Sequence, residues 1–149
     1  MFKTHIYLAV DSATPRETVK KYAYILAMDG KRKTIGHHGS SKGTYHNVVL
    51  IAVLDALGRF TQNCEITIHS EDCYVLGMLQ NNLDHWEENG YMTARGKPVR
   101  DADLWKQIQK YRKFQKILVE PGTHKYCEDL QKEMERRKES EPETEEKAI

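Results

Sequence analysis

The segment "CEITIHSEDCYV", Cys64 to Val75, decides how the chain is read. Its first seven residues alternate: Ile66 and Ile68 fall on one face, and Glu65, Thr67 and His69 on the other. That period of two marks a half-buried strand. The strand ends in Glu71-Asp72, and an apolar helical pattern starts at once. A carboxylate just past a strand either holds a metal at the edge of the sheet or caps the next helix. The choice turns on what the other segments bring to the same end of the sheet.

Working outward, "THIYLAV" (Thr4–Val10), "YAYILAM" (Tyr22–Met28) and "KTIGHHG" (Lys33–Gly39) read as strands. Asp29-Gly30 signals the hairpin between the last two. "SATPRETVKK" before the second strand is expected as a surface loop, and the Gly/Ser run after the third as another. From Thr44 to Phe60 the apolar residues fall almost all round a helix, so it should be covered on several sides. Beyond the opening strand, "DCYVLGMLQNNLDHWEENG" predicts a helix broken near Gln80–Asn82, and "YMTARGKPV" an irregular link. A helix opened by Asp101 or Asp103, a strand over Phe114–Glu120 and a closing helix over "GTHKYCEDLQKEMERRK" complete the chain. The order β-β-β-α-β-α-α-β-α predicts an α/β fold with a mixed five-stranded sheet. An antiparallel hairpin edge continues into parallel strands, with helices flanking the sheet. The strand at Thr4 and the strand at Cys64 are then parallel neighbours across a helical crossover.

The chain has 149 residues, enough for one domain with its own core. The folded domain is expected over 1–138, and 139–149 as an acidic, disordered tail. Hydrophobic residues make up 39% and charged residues 30%, an ordinary balance for a soluble protein. The longest apolar run, Val48–Leu54, is far too short to span a bilayer. No signal peptide is apparent, and Cys64, Cys73 and Cys127 show no metal or redox spacing, so a cytoplasmic protein with reduced thiols is expected. The net charge of +1 divides into −2 from Glu135 onward and +3 before it, too mild to announce nucleic acid by charge alone.

Asp11 directly follows the first strand, as Glu71 follows the fourth. If those strands are neighbours, both carboxylates reach the crevice where open α/β sheets place their sites. The helix after "GTYHN", then "EITIHSEDCYV", then "HWEENGYMTARGKPVRDADLW", resembles ribonuclease H type 1. The similarity covers roughly Thr4 to Arg136, and "GKPVRDADLW" is its most specific part. The resemblance implies an RNase H-like fold, a metal-assisted cut in the RNA strand of an RNA–DNA hybrid, and four acidic ligands. Asp11 matches the first of these, and Glu71 stands at the third in place of Asp. The second position falls on Val49. The fourth falls on Gln131, when "KYCEDLQ" is laid on the family's K-Y-N-E-x-A-D. Glu128, Asp129 or Glu133 would substitute only if the closing helix shifts.

Two-metal hydrolysis clamps the attacking and leaving oxygens between two cations, and Mg²⁺ requires octahedral oxygen coordination. With Val49 and Gln131 in place of carboxylates, the resemblance implies one weakly held Mg²⁺ or none, through Asp11 and Glu71. Thr44 matches a position beside a phosphate of the DNA strand, where Tyr45 and His46 replace amide side chains. The hybrid-gripping protrusion corresponds to about Trp86–Arg100 and carries Arg95, Lys97 and Arg100. Trp86 and Trp105 are expected in the core. Lys20, Lys21, Lys31, Arg32 and Lys33 are expected on a solvated hairpin edge, His37-His38 at a strand end, and His124 near the family's mobile histidine loop.

The expected function is therefore binding of RNA–DNA hybrid or other duplex nucleic acid, with RNA-strand hydrolysis weak or absent. Two alternatives stay open. One is an active Mg²⁺-dependent ribonuclease H using Asp11, Glu71 and a further carboxylate. The other is a protein-interaction module on the same fold.

Overall fold

A computed structural model of the protein describes the backbone of residues 1–140 and the side chains of residues 1–138. The elements are β1 (Phe2–Val10), β2 (Thr18–Met28), β3 (Ile35–Gly43), α1 (Tyr45–Leu57), β4 (Cys64–Ser70), α2 (Cys73–Asn81), α3 (Leu83–Glu88), α4 (Ala102–Arg112), β5 (Lys116–Pro121) and α5 (Cys127–Ser140). The sheet order is β3-β2-β1-β4-β5. β1 pairs antiparallel with β2 and parallel with β4, and β4 is parallel to β5. The mixed sheet with an antiparallel edge is the expected one, and the break near Gln80–Asn82 separates α2 from α3.

Alternation along β1 and β4 sorts side chains between two layers. Ile6, Leu8, Val10, Ile66 and Ile68 join α1, α2 and Trp105 in the main core. Ala9 and Ala23, on the opposite face, meet Leu130 and Met134 of α5 in a smaller one. α1 lies at the centre of the main core with Val48, Val49, Ala52, Val53, Ala56 and Leu57 all fully buried. Its apolar girth follows from that position, since the sheet covers one side and α2 and α4 cover others. Thr44 caps it, accepting from the Asn47 amide at 3.2 Å.

Several expectations are corrected. The "SATPRETVKK" loop ends early, because β2 begins at Thr18. The Gly/Ser run is strand, not loop: β3 extends to Gly43 and pairs with β2 over its whole length. Glycine suits the strand at Gly39, where any Cβ would overlap the Tyr22 ring. Lys20 is not on a solvated edge but is 1% exposed. Its ammonium donates to Arg16 O at 2.7 Å, Thr18 Oγ1 at 2.9 Å and Gly43 O at 2.5 Å, three acceptors that compensate its lost hydration. A linear pattern cannot supply such acceptors, because Gly43 lies on a different strand. Lys31, Arg32 and Lys33 are exposed as expected, in the turn around Gly30, whose φ of 79° is left-handed. His37 and His38 lie within β3 rather than at its end. α5 continues through Ser140, two residues into the expected tail; the remainder of that expectation, 141–149, lies outside the described residues. Among the described residues no helix is long and apolar enough to cross a membrane.

Candidate functional site

Asp11 and Glu71 leave the carboxyl ends of adjacent parallel strands. The register pairs Tyr7 with His69, which sets Ala9 level with Glu71. Asp11 therefore stands two residues beyond, about 7 Å along the strand direction. Asp11 is half-buried, and its Oδ1 accepts from the Lys21 amide at 3.0 Å while its own amide donates to Lys21 O at 2.9 Å. It thus closes the β1–β2 ladder. Glu71 is exposed, and its carboxylate lies beside the Cys127 thiol. Burial chiefly, and Glu71 in addition, hold the Cys127 thiol above its ordinary range; the His124 amide, which donates to the sulfur at 3.3 Å, opposes this.

The two positions at which the resemblance expects further carboxylates, Val49 and Gln131, are both engaged elsewhere. Val49 is 0% exposed. Gln131 donates its Nε2 to Val10 O at 2.9 Å, joining α5 to the end of β1, which a carboxylate could not do. The alternative acids of α5 are also engaged or remote: Glu128 pairs with Lys132 at 2.8 Å, Glu133 with Arg136 and Arg137, and Asp129 is exposed. Among the described residues no group of three or more His, Cys, Asp or Glu side chains is arranged to hold a metal ion. At the second and fourth positions of the resemblance, Val49 and Gln131 thus bring no carboxylate to Asp11 and Glu71.

Glu71's neighbour has a different task. Asp72 caps α2, its Oδ1 accepting from the Val75 amide at 3.0 Å, and its Oδ2 lies 2.6 Å from His46 Nδ1. The sequence offered Glu71 or Asp72 as the cap; the structure gives that task to Asp72 and adds a histidine partner from the first turn of α1. Above this pair runs a groove of about 930 Å³ between α1, α2 and the α3–α4 link. Thr44, Tyr45, His46, Tyr74, Trp86 and Arg100 are among its walls, whereas Asp11 and Glu71 are not. The groove is thus beside the acidic pair rather than centred on it. Burial, with Asp72 and Glu71 adding to it, pushes the Tyr45 phenol up to about 12.

The structure brings Thr44 and Arg100 together, since both line this groove and a smaller depression of about 350 Å³ with Lys42 and Asn47. Arg95 and Lys97 are not part of either lining; they sit exposed on the Thr93–Lys97 turn, which Met92 and Pro98 close by a bridge. Asp101 opens α4 in the left-handed region, φ 59°, without capping it. Its Oδ1 instead accepts from Asn47 Nδ2 at 3.0 Å, tying the protrusion to the α1 N-terminus. Trp86 and Trp105 meet edge to face at 5.3 Å, and Trp105 is buried, so they pack as expected.

On the opposite face His5, Tyr7, His69 and His124 form a ring cluster. His5 Nδ1 is 3.0 Å from His69 Nε2, His5 Nε2 is 2.7 Å from Asp29, and His124 Nε2 donates to Leu8 O at 2.8 Å. That last bond places His124 in the α5 lead-in, away from the groove. Desolvation first, then the neighbouring His5, His124 and Lys125, lower the His69 pKa to about 4. The unfolded chain then binds a proton between the ordinary histidine value of 6.5 and about 4 that the folded chain refuses. Stability is full above pH 6.5 and falls as the pH drops toward 4. Thermal melts should show a loss of about 1–3 kcal/mol across that window, discounted for the partial exposure of the ring. The variant His69→Phe should flatten the profile; an unchanged slope would mean that other groups carry it.

The comparisons with known proteins agree with this architecture. A family model described as RNase H matches residues 3–121. The ribonuclease H of Zymomonas mobilis is 38% identical over 85 residues, 56% of this chain and 53% of that protein. The ribonuclease H of Brucella ovis is 29% identical over 93 residues, 62% of this chain and 60% of that protein. The matches thus span little more than half the length of these curated relatives. Among solved structures, a foamy viral protease–reverse transcriptase in complex with dsDNA superposes with a TM-score of 0.67 at 16% identity, over 88% of this chain and 89% of that one. The solution structure of the PFV RNase H domain gives 0.57 at 17% identity, over 89% and 90%. At such identities the structures establish the fold. Because the family model covers most of the chain, including both strands that carry Asp11 and Glu71, this protein belongs to the RNase H family.

Proposed function

We propose that this chain binds RNA–DNA hybrid or a related nucleic-acid duplex and hydrolyses the RNA strand slowly or not at all. The observation that carries the reading is Val49, fully buried where the family resemblance asks for a ligand carboxylate. Gln131, committed to Val10 O, removes a second. Asp11 and Glu71 remain as candidate ligands for at most one Mg²⁺, whose other positions would be filled by water and a substrate phosphate. The groove supports binding independently of that site, since it joins the N-terminus of α1, Thr44 and Arg100 along one wall, a natural place for a phosphate. Arg95 and Lys97 add exposed positive charge on the adjoining protrusion. Two buried thiols and one exposed, none disulfide-bonded, fit the reducing conditions of a cytoplasm.

Fluorescence anisotropy with hybrid, DNA and RNA duplexes of one sequence tests the reading. Two or three neutralised phosphates predict an affinity loss of about 10–40-fold between 50 and 200 mM salt. Replacing Arg95 and Lys97 by Gln should shallow that slope by roughly two contacts. Absence of binding to any duplex at low salt would favour a protein-interaction module. Metal-dependent cleavage at the first time point, lost on Asp11→Asn, would favour a working nuclease.

A further inference from the structure

The β5 edge of the sheet carries a pattern that neither the groove nor the acidic pair uses. Among the described residues β5 is the last strand on its side, bonded to β4 alone. Gly122, just past its end, donates its amide to Ser70 O at 2.9 Å, which fixes the direction of the backbone groups before it. Those groups alternate along a strand, so Leu118 and Glu120 turn theirs to β4, and Ile117 and Val119 turn theirs outward. The described residues offer the outward amides no partner. A depression of about 360 Å³ runs along this edge, walled by Ile117, Leu118, Val119 and Glu120 together with Leu79 and Arg112. Side chains alternate as well. Ile117 and Val119 pack against the main core, whereas Lys116, Leu118 and Glu120 share the other face and are exposed. Leu118 is 41% exposed there, because α5 lies over β1 and β2 instead.

An unpaired edge is a template for another strand, and the charges along it select which strand. The stretch "KILVE", Lys116 to Glu120, is complementary to itself when reversed. In an antiparallel pair centred on Leu118, Lys116 of each copy faces Glu120 of the other, and Ile117 faces Val119. An in-register parallel pair, or one centred on Lys116 or Glu120, sets like charges opposite each other and is disfavoured. The backbone agrees with the charges. Ile117 and Val119, whose groups point outward, then exchange both hydrogen bonds, and Leu118 meets Leu118 in the close, non-hydrogen-bonded position where side chains touch. The ladder has ends of its own: Pro121 has no amide to donate, and the Gln115 amide is given to Tyr111 O at 2.8 Å. Lys116 is 3.4 Å from Glu65 of its own chain and would stand between two carboxylates, whereas Glu120 has no ion pair among the described residues. We propose that β5 is a self-association edge, at which two copies of this chain join their five-stranded sheets antiparallel about Leu118. The proposal does not depend on what the groove binds.

Sedimentation equilibrium of the full chain from about 5 to about 500 µM should show monomer passing to dimer, with a Kd on the order of 10–100 µM for so small a contact. Leu118→Lys sets two ammonium groups at the centre of the pair and should weaken it at least about tenfold. Two charge variants test the register. Glu120→Lys leaves a strand with a lysine at both ends, and Lys116→Glu one with a glutamate at both. Each alone should dimerise about 3–10-fold more weakly than the unmodified chain, and an equimolar mixture should associate about as tightly as that chain, since opposite charges face each other again. Without any substitution, amide exchange at Ile117 and Val119 should slow as concentration rises through the Kd, while that at Leu118, already bonded to β4, changes less. A monomer at about 500 µM would overturn the proposal and leave the edge to a strand of another protein. A dimer that survives Leu118→Lys, charge variants that associate no better mixed than apart, or exchange at Ile117 and Val119 that ignores concentration would each overturn it by placing the contact elsewhere. Loss of duplex binding would leave it standing.

Discussion

Val49→Glu should destabilise the protein by about 3–5 kcal/mol, combining lost apolar burial of about 1.5–3 kcal/mol with a carboxyl group set into an apolar layer. For a chain of this size that lowers the melting temperature by roughly 6–20 °C. The site offers no slack: Val49 is 0% exposed, between Val48 and Leu50, which are 0% and 1%. The new carboxyl group would resist ionisation in the folded state, so its folded pKa lies above the unfolded value. The folded state then holds the proton longer, and the destabilisation deepens as pH rises through the ordinary glutamate range. Val49→Gln, of similar volume, should destabilise without that pH dependence. Added Mg²⁺ should recover part of the loss for Glu and none for Gln, because only the carboxylate gives a cation differential affinity for the folded state. A Val49→Glu protein melting with the wild type would mean that water already reaches this position, against its complete burial.

The second large effect concerns activity. The unmodified protein should show little or no Mg²⁺-dependent cleavage of an RNA–DNA hybrid, and the double variant Val49→Glu with Gln131→Asp should cleave at least about tenfold faster, a barrier change of about 1.4 kcal/mol. The gain is expected because two added carboxylates double the candidate acidic set of Asp11 and Glu71 and offset the charge of a second cation. It has a structural cost: Gln131→Asp removes the 2.9 Å bond to Val10 O that joins α5 to β1. Stability of the double variant must therefore be followed beside its rate, with Mg²⁺ present throughout. Asp11→Asn should abolish whatever cleavage the double variant gains. If the double variant folds and stays as slow as the unmodified chain, positions 49 and 131 are not the missing ligand positions.

Much of this protein was legible along its sequence. The period of two in Cys64–Ser70, the Asp29-Gly30 turn and the all-round apolar pattern after Thr44 are local consequences of backbone geometry, and they produced the element order. Given that order, a right-handed parallel crossover makes β1 and β4 neighbours, so Asp11 and Glu71 end at the same side of the sheet. Val49 could be read as buried for the same reason, because a helix apolar on every side has nowhere else to put it.

What the sequence could not decide depends on pairs remote in the chain. Lys20 looks like a solvated charge until Gly43, 23 residues away on the neighbouring strand, presents its carbonyl. Glu71 and Asp72 look interchangeable as cap and ligand. Asp72 takes the local Val75 amide, but only the meeting of α1 with the start of α2 brings it His46, 26 residues earlier, while Glu71 is left outside beside Cys127. Gln131 likewise acquires its role through Val10, 121 residues earlier. Periodicity reports which face of an element is buried, since that depends on the element alone. The partner of a buried polar atom is set by how elements pack, and the cost of leaving such an atom unpaired makes that packing specific.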